Sequence, residues 1–171
     1  MIDLRKTLNF AHSALNDNGI AHALIGGFAM AVYGQHRTTV DIDFLADGSK
    51  KDQIKNVLIK NGFKLTHESR EVLQFEGVGF VDILLANRPM SLEMLKNANE
   101  NIELGMYVIK PEDIIGLKIQ AYINDPSREL QDKADIQNLL KLSGLNFSVI
   151  KKYADLFQEW PVIEKLKVQK S

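Results

Sequence analysis

The chain has 171 residues, 45% of them hydrophobic and 25% charged, with a net charge of −1 and no cysteine. That length builds one ordinary domain with a real core but not comfortably two, and the charge balance excludes a global field that would draw the chain to nucleic acid or to an anionic membrane. Zero cysteines exclude disulfides and thiolate zinc sites and suit a reducing cytosol. Met1 to Lys6 carries an early acid, unlike a signal peptide. The longest near-apolar run, Ala23 to Gly34, is interrupted by two glycines and falls short of the roughly 20 residues a membrane span needs. The expectation is a cytoplasmic protein with no membrane partner.

Leu4, Leu8, Phe10, Ala11, Ala14 and Leu15 fall near helical spacing, with Gly19 as a stop. Ala21 to Ile25 reads as a short apolar strand. Gly26-Gly27 breaks it, and Phe28 to Tyr33 reads as a short helix ending at Gly34. Thr39 to Leu45 is rich in β-branched and aromatic residues and predicts a strand. A turn at Asp47-Gly48-Ser49 leads to an amphipathic helix over Lys51 to Asn61. Phe63 to Thr66, Val72 to Phe75 and Phe80 to Leu85 read as strands, the last two joined as a hairpin through Gly77-Val78-Gly79. Met90 to Asn97 predicts a helix and Met106 to Ile109 a strand.

After Pro111 the pattern becomes helical. Pro111-Glu112-Asp113 starts a helix that runs to about Tyr122. Asn124-Asp125-Pro126 breaks it, and Ser127 is placed to cap a second helix to about Leu142. A third spans roughly Ser148 to Glu159 and stops before Pro161, leaving Lys165 to Lys170 as a frayed tail. The expected organisation is α+β: a small mixed sheet with helices packed on it over residues 1–110, and a helical region over 111–171 packed on that core, together one structural domain.

Chemistry concentrates in Asp41-Ile42-Asp43. Side chains alternate along a strand, so both carboxylates face one way, with Cα atoms roughly 7 Å apart, while Ile42 and Phe44 face the core. Two anions side by side repel, and a hard divalent cation reverses the sign of that energy. Mg²⁺ takes carboxylate and phosphate oxygens and keeps several waters, so two or three acids suffice when a triphosphate supplies the rest. Asp82, between Val81 and Ile83, has the same signature. On a neighbouring strand it completes a three-carboxylate set able to hold two ions roughly 4 Å apart, and it is the candidate base for an incoming hydroxyl. The bland alternative for all three is a solvated strand end.

Gly26-Gly27 follows a strand and opens a helix, so backbone without Cβ atoms can approach a phosphate closely. Arg37 and Thr39 stand at the entrance to the Asp41 strand. An arginine there can neutralise phosphate charge by a bidentate contact; the alternatives are a solvated loop residue and plain strand propensity.

Gly26-Gly27, the short helix, and then Arg37-x-Thr39-x-Asp41-Ile42-Asp43-Phe44 resemble the nucleotidyltransferase superfamily of the DNA polymerase beta-like fold. The likeness is greatest to the minimal bacterial nucleotidyltransferases of the abortive-infection AbiEii type, and the chain is also similar to the lincosamide nucleotidyltransferases. After Pro111, Leu117-Lys118-Ile119, Arg128 and Lys133-Ala134-Asp135 resemble the lysine and Lys-Asp helices of the AbiEii type.

The resemblance implies an NTP donor, Mg²⁺, transfer of a nucleoside monophosphate to an acceptor, and release of pyrophosphate. By it, Asp41, Asp43 and Asp82 are catalytic metal ligands. Gly26, Gly27, Arg37 and Thr39 meet the nucleotide, and Lys118 reaches it. A solvated lysine on an amphipathic face is the alternative for Lys118, and helix-surface charge is the preferred one for Asp132. Many relatives carry Gly-Ser at the turn, so Gly27 leaves only backbone donors here. The acceptor stays open between tRNA, a protein and a small hydroxyl compound, and the resemblance to the AbiEii type carries the expectation of a toxin–antitoxin component. Other expectations are a non-catalytic, nucleotide-binding, antitoxin-like partner and an antibiotic-modifying enzyme. Tyr122, Tyr153, Phe157 and Trp160 read as core by their helical spacing.

Overall fold

A computed structural model describes residues 3–36 and 38–168. The chain forms two units, Met1–Ile109 and Lys110–Ser171. Among the described residues no helix is long and apolar enough to cross a membrane.

The first unit is built on one seven-stranded mixed sheet. Its elements are α1 (Leu4–Asn16), β1 (His22–Ile25), α2 (Gly26–Val32), β2 (Asp41–Asp47), α3 (Lys51–Lys60), β3 (Lys64–Glu68), β4 (Val72–Glu76), β5 (Phe80–Ala86), α4 (Pro89–Lys96), β6 (Asn99–Asn101) and β7 (Met106–Val108). The strand order is β3-β4-β5-β2-β1-β7-β6. β2 lies in the middle, parallel to β5 and antiparallel to β1. Strands at the centre of a sheet are covered on their apolar face, and Ile42, Phe44, Val81 and Ile83 are each fully buried.

Two imidazoles help seat α1 on that apolar face. His22 of β1 packs edge-on against the Phe44 ring, with centroids 5.2 Å apart. Its Nδ1 lies 2.7 Å from the Ile20 carbonyl, which can only accept, so Nδ1 carries the proton. His22 Nε2 is therefore an acceptor, and His12 Nδ1 of α1 donates to it at 2.8 Å. Burial holds the His22 pKa down at about 4, and burial also lowers that of His12.

The second unit comprises α5 (Pro111–Asn124), α6 (Glu129–Leu139), α7 (Phe147–Leu156) and α8 (Trp160–Val168). Helix α5 packs against α6 and α7, and α8 against α6 and α7. Gly116, in the middle of α5, is where the Tyr153 ring of α7 lands: a Cβ there would stand 2.7 Å from the ring. The Tyr153 hydroxyl then donates to Asp113 Oδ1 at 2.5 Å.

Several local expectations change. Pro161 does not end the helical region; it lies in the first turn of α8, where a missing N–H costs nothing, and Lys165 and Lys167 occupy that helix's last turn. Asp125 rather than Ser127 supplies the cap, accepting from the Ser127 backbone N–H ahead of a short 3-10 turn. Helix α2 begins at Gly26, so both glycines are inside it rather than before it. The strand β6, Asn-Glu-Asn, has no apolar residue and no sequence signal at all; pairing with β7 forms it.

Candidate metal centre

Asp41 and Asp43 stand on β2 and Asp82 on β5. The parallel register places Asp43 directly opposite Asp82. Cross-strand partners point to the same face, so all three carboxylates leave the sheet together, opposite Ile42 and Phe44. One oxygen from each acid lies within 4.8 Å of the others, and all three side chains are half-buried. Like charges so close repel by on the order of 3 kcal/mol in a surface-like dielectric. Three hard carboxylate oxygens converging from a rigid sheet fit a small divalent cation such as Mg²⁺, with room in the coordination shell for water and phosphate.

Local hydrogen bonds hold two of the acids. Thr39 Oγ1 donates to Asp41 Oδ1 at 2.8 Å, so this hydroxyl, expected at the nucleotide, faces a carboxylate. Gln74 Nε2 donates to Asp82 Oδ2 at 2.9 Å. Gln74 carries no motif that marks it in the sequence. Its signal is the same as that of Asp41 and Asp43: a polar side chain between two fully or nearly fully buried apolar ones, Leu73 and Phe75.

Ile25, the last residue of β1, pairs with Asp43, so the Gly26-Gly27 turn falls beside that carboxylate. Gly26 has φ +66°, and a Cβ there would stand 2.6 Å from Asp43 Cγ and closer still to Oδ2. The absence of a side chain at Gly26 thus makes room for Asp43 as well as permitting the left-handed backbone. Arg37 lies outside the described residues.

Lys118, by contrast, belongs wholly to the helical unit. It is 5% exposed, and its Nζ lies 3.0 Å from Asp132 Oδ1 and 2.5 Å from Asp135 Oδ2. The ammonium is engaged by two carboxylates, a different setting from the nucleotide contact that the resemblance implies. Asp132 is 1% exposed and accepts a further bond from Arg128 Nε, so it is not a helix-surface charge. Lys133 instead pairs with Glu129 on the exposed side of α6.

No protein-family model matches the chain, and no curated protein matches it in sequence. In three dimensions it has the nucleotidyltransferase fold. The antibiotic-resistance factor ANT(2'')-Ia matches it with a TM-score of 0.59 at 12% identity, covering 96% of this chain and 89% of that one. The lincosamide antibiotic adenylyltransferase LnuA, with lincomycin bound, matches with a TM-score of 0.58 at 16% identity, over 81% of this chain and 97% of that one. An antigenic nucleotidyltransferase-like protein from Paracoccidioides brasiliensis gives 0.56 at 19% identity, over 97% and 93%.

Proposed function

We propose that this chain, which has the nucleotidyltransferase fold, transfers a nucleoside monophosphate from an NTP to an acceptor hydroxyl with the help of Mg²⁺. The observation that carries the reading is the convergence of Asp41, Asp43 and Asp82 from two adjacent parallel strands, with one oxygen of each inside 4.8 Å. Bound at these three acids, Mg²⁺ supplies charge neutralisation at the triphosphate and a lower barrier to deprotonating the acceptor. In the transfer the acceptor oxygen bonds to the α-phosphorus, the bond from that phosphorus to the bridging oxygen breaks, and pyrophosphate leaves. Asp82 is the base that receives the acceptor's proton. Gly26, half-buried, and Gly27, buried, stand at the start of α2 beside Asp43 and meet the triphosphate through their backbone in this reading. Thr39 holds Asp41 in place, and Arg37, by its position in the sequence, serves the triphosphate.

The test is incubation with radiolabelled NTPs, Mg²⁺ and a panel of acceptors (total RNA, protein extract, polyhydroxylated small molecules). Wild type is compared with the Asp41→Asn/Asp43→Asn double variant. Product labelled by wild type alone supports the reading, and equal labelling by both overturns it.

For the acceptor, a small hydroxyl compound is favoured over RNA. Two similar structures, ANT(2'')-Ia and LnuA, are antibiotic-resistance or antibiotic-modifying proteins spanned over most of their length by this chain. The net charge of −1 offers no general attraction to a polyanion. Raised resistance to an aminoglycoside or a lincosamide in a sensitive host expressing wild type, and not the double variant, is the expected result.

A further inference from the structure

We propose that Gln74 is a positioning residue for the metal centre, fixing Asp82 so that it offers a cation one oxygen rather than chelating with two. The proposal rests on the metal-dependent reading above. Its basis is a row of three side chains across three neighbouring strands: Gln74 of β4 pairs in register with Asp82 of β5, which pairs in register with Asp43 of β2. All three therefore share one face of the sheet.

The sense of the Gln74–Asp82 bond follows from chemistry. An ionised carboxylate only accepts, so the nitrogen end of the amide faces it, and Nε2 lies 2.9 Å from Oδ2. Asp82 stands opposite another carboxylate, and repulsion between the two favours rotating the Asp82 side chain outward. A donor on the far side of Asp82 from Asp43 holds Oδ2 along the sheet and stops that rotation. The amide suits this place because it donates without charge. A lysine would neutralise the acid and compete with the cation, and an apolar residue would leave Oδ2 without this donor. Leu73 and Phe75, on either side, are buried on the opposite face and anchor the β4 backbone from which Gln74 projects.

Outer hydrogen-bond partners of metal ligands typically change metal affinity or activity about 10–100-fold when removed. The experiment measures Mn²⁺ binding to the full chain by electron paramagnetic resonance, with no nucleotide or acceptor. The proteins are wild type, Asp43→Asn, Gln74→Met and Gln74→Asn. Methionine keeps the length and shape of glutamine and removes the donor; asparagine keeps the donor and retracts it. Wild type is expected to bind and Asp43→Asn not to bind. Both Gln74 variants are expected to bind about 10–100-fold more weakly, with an altered spectrum of the bound ion, while their apo melting temperatures stay near that of wild type. Mn²⁺ affinity and spectrum equal to wild type in the Gln74 variants overturn the positioning role and leave the metal reading standing. No Mn²⁺ binding by wild type overturns both. If Gln74→Met does not fold, Gln74→Asn carries the same comparison.

Discussion

Gly26 and Asp43 share a single volume: a Cβ on Gly26 would stand 2.6 Å from Asp43 Cγ and 2.9 Å from its Cβ. Gly26 also has φ +66°, so steric room and backbone conformation select glycine independently. The turn after β1 and the carboxylate on β2 are one unit.

Gly19 supplies an internal control for that relationship. Its φ of +65° matches that of Gly26, yet nothing lies within 4 Å of where its Cβ would be. Gly19→Ala is therefore expected to cost about 1–2 kcal/mol for the left-handed backbone alone. Gly26→Ala is expected to cost about 1–3 kcal/mol more, from forcing Asp43 aside. Adding Asp43→Ala to Gly26→Ala should recover that extra loss in urea unfolding.

The acids are held close against their mutual repulsion, so removing charge should not harm the metal-free fold. Asp43→Asn is expected to be at least as stable as wild type in EDTA. Millimolar Mg²⁺ should raise the melting temperature of wild type and leave that of Asp43→Asn unchanged, since a ligand stabilises only the state that binds it. A loss of several degrees by the metal-free variant would contradict the proposed role of the three acids as a cation cage.

The His12–His22 pair predicts acid lability. Folding lowers the His22 pKa from 6.5 to about 4, by burial first and by the nearby His12 in addition. The unfolded chain thus takes up this proton at a higher pH than the folded one. Stability is fully present above about pH 6.5 and falls as pH drops from there towards 4. Over that range His22 is expected to account for about 3 kcal/mol, at 1.36 kcal/mol per pH unit. Urea melts at pH 7.5 and 4.5 read the loss. His22→Phe should flatten it in part, and an NMR titration of the His22 ring should give its midpoint well below 6.

Lys118 lies between two nearly inaccessible carboxylates. Lys118→Met should therefore destabilise by about 3–5 kcal/mol, because it strands negative charge away from water. Replacing Asp132 and Asp135 with leucine in the same chain should restore most of that loss. A Lys118→Met protein of wild-type stability would mean that the aspartates reach solvent.

Sequence alone marked the three carboxylates of the candidate site. Alternation along Asp41-Ile42-Asp43 required both acids on one face, because strand side chains have a period of two. The apolar neighbours of Asp82 marked it as a third candidate. The break at Gly26-Gly27 and the change of pattern near Pro111 were also local signals. What tertiary structure decided was everything that depends on register between distant segments. The pairing of β2 with β5 brings Asp82 beside Asp43 across 39 positions of chain, and the pairing of β4 with β5 turns Gln74 from an ordinary strand residue into a partner of Asp82. β6 exists only because β7 pairs with it. Lys118 reads as a nucleotide contact by resemblance, or else as a solvated lysine, and Asp132 reads as a surface charge, because helical spacing reports a polar face but not what covers it; α6 covers that face of α5 with opposite charge. Gly26 read as a place for phosphate; only the fold shows that the same missing methyl group is first of all the space for Asp43.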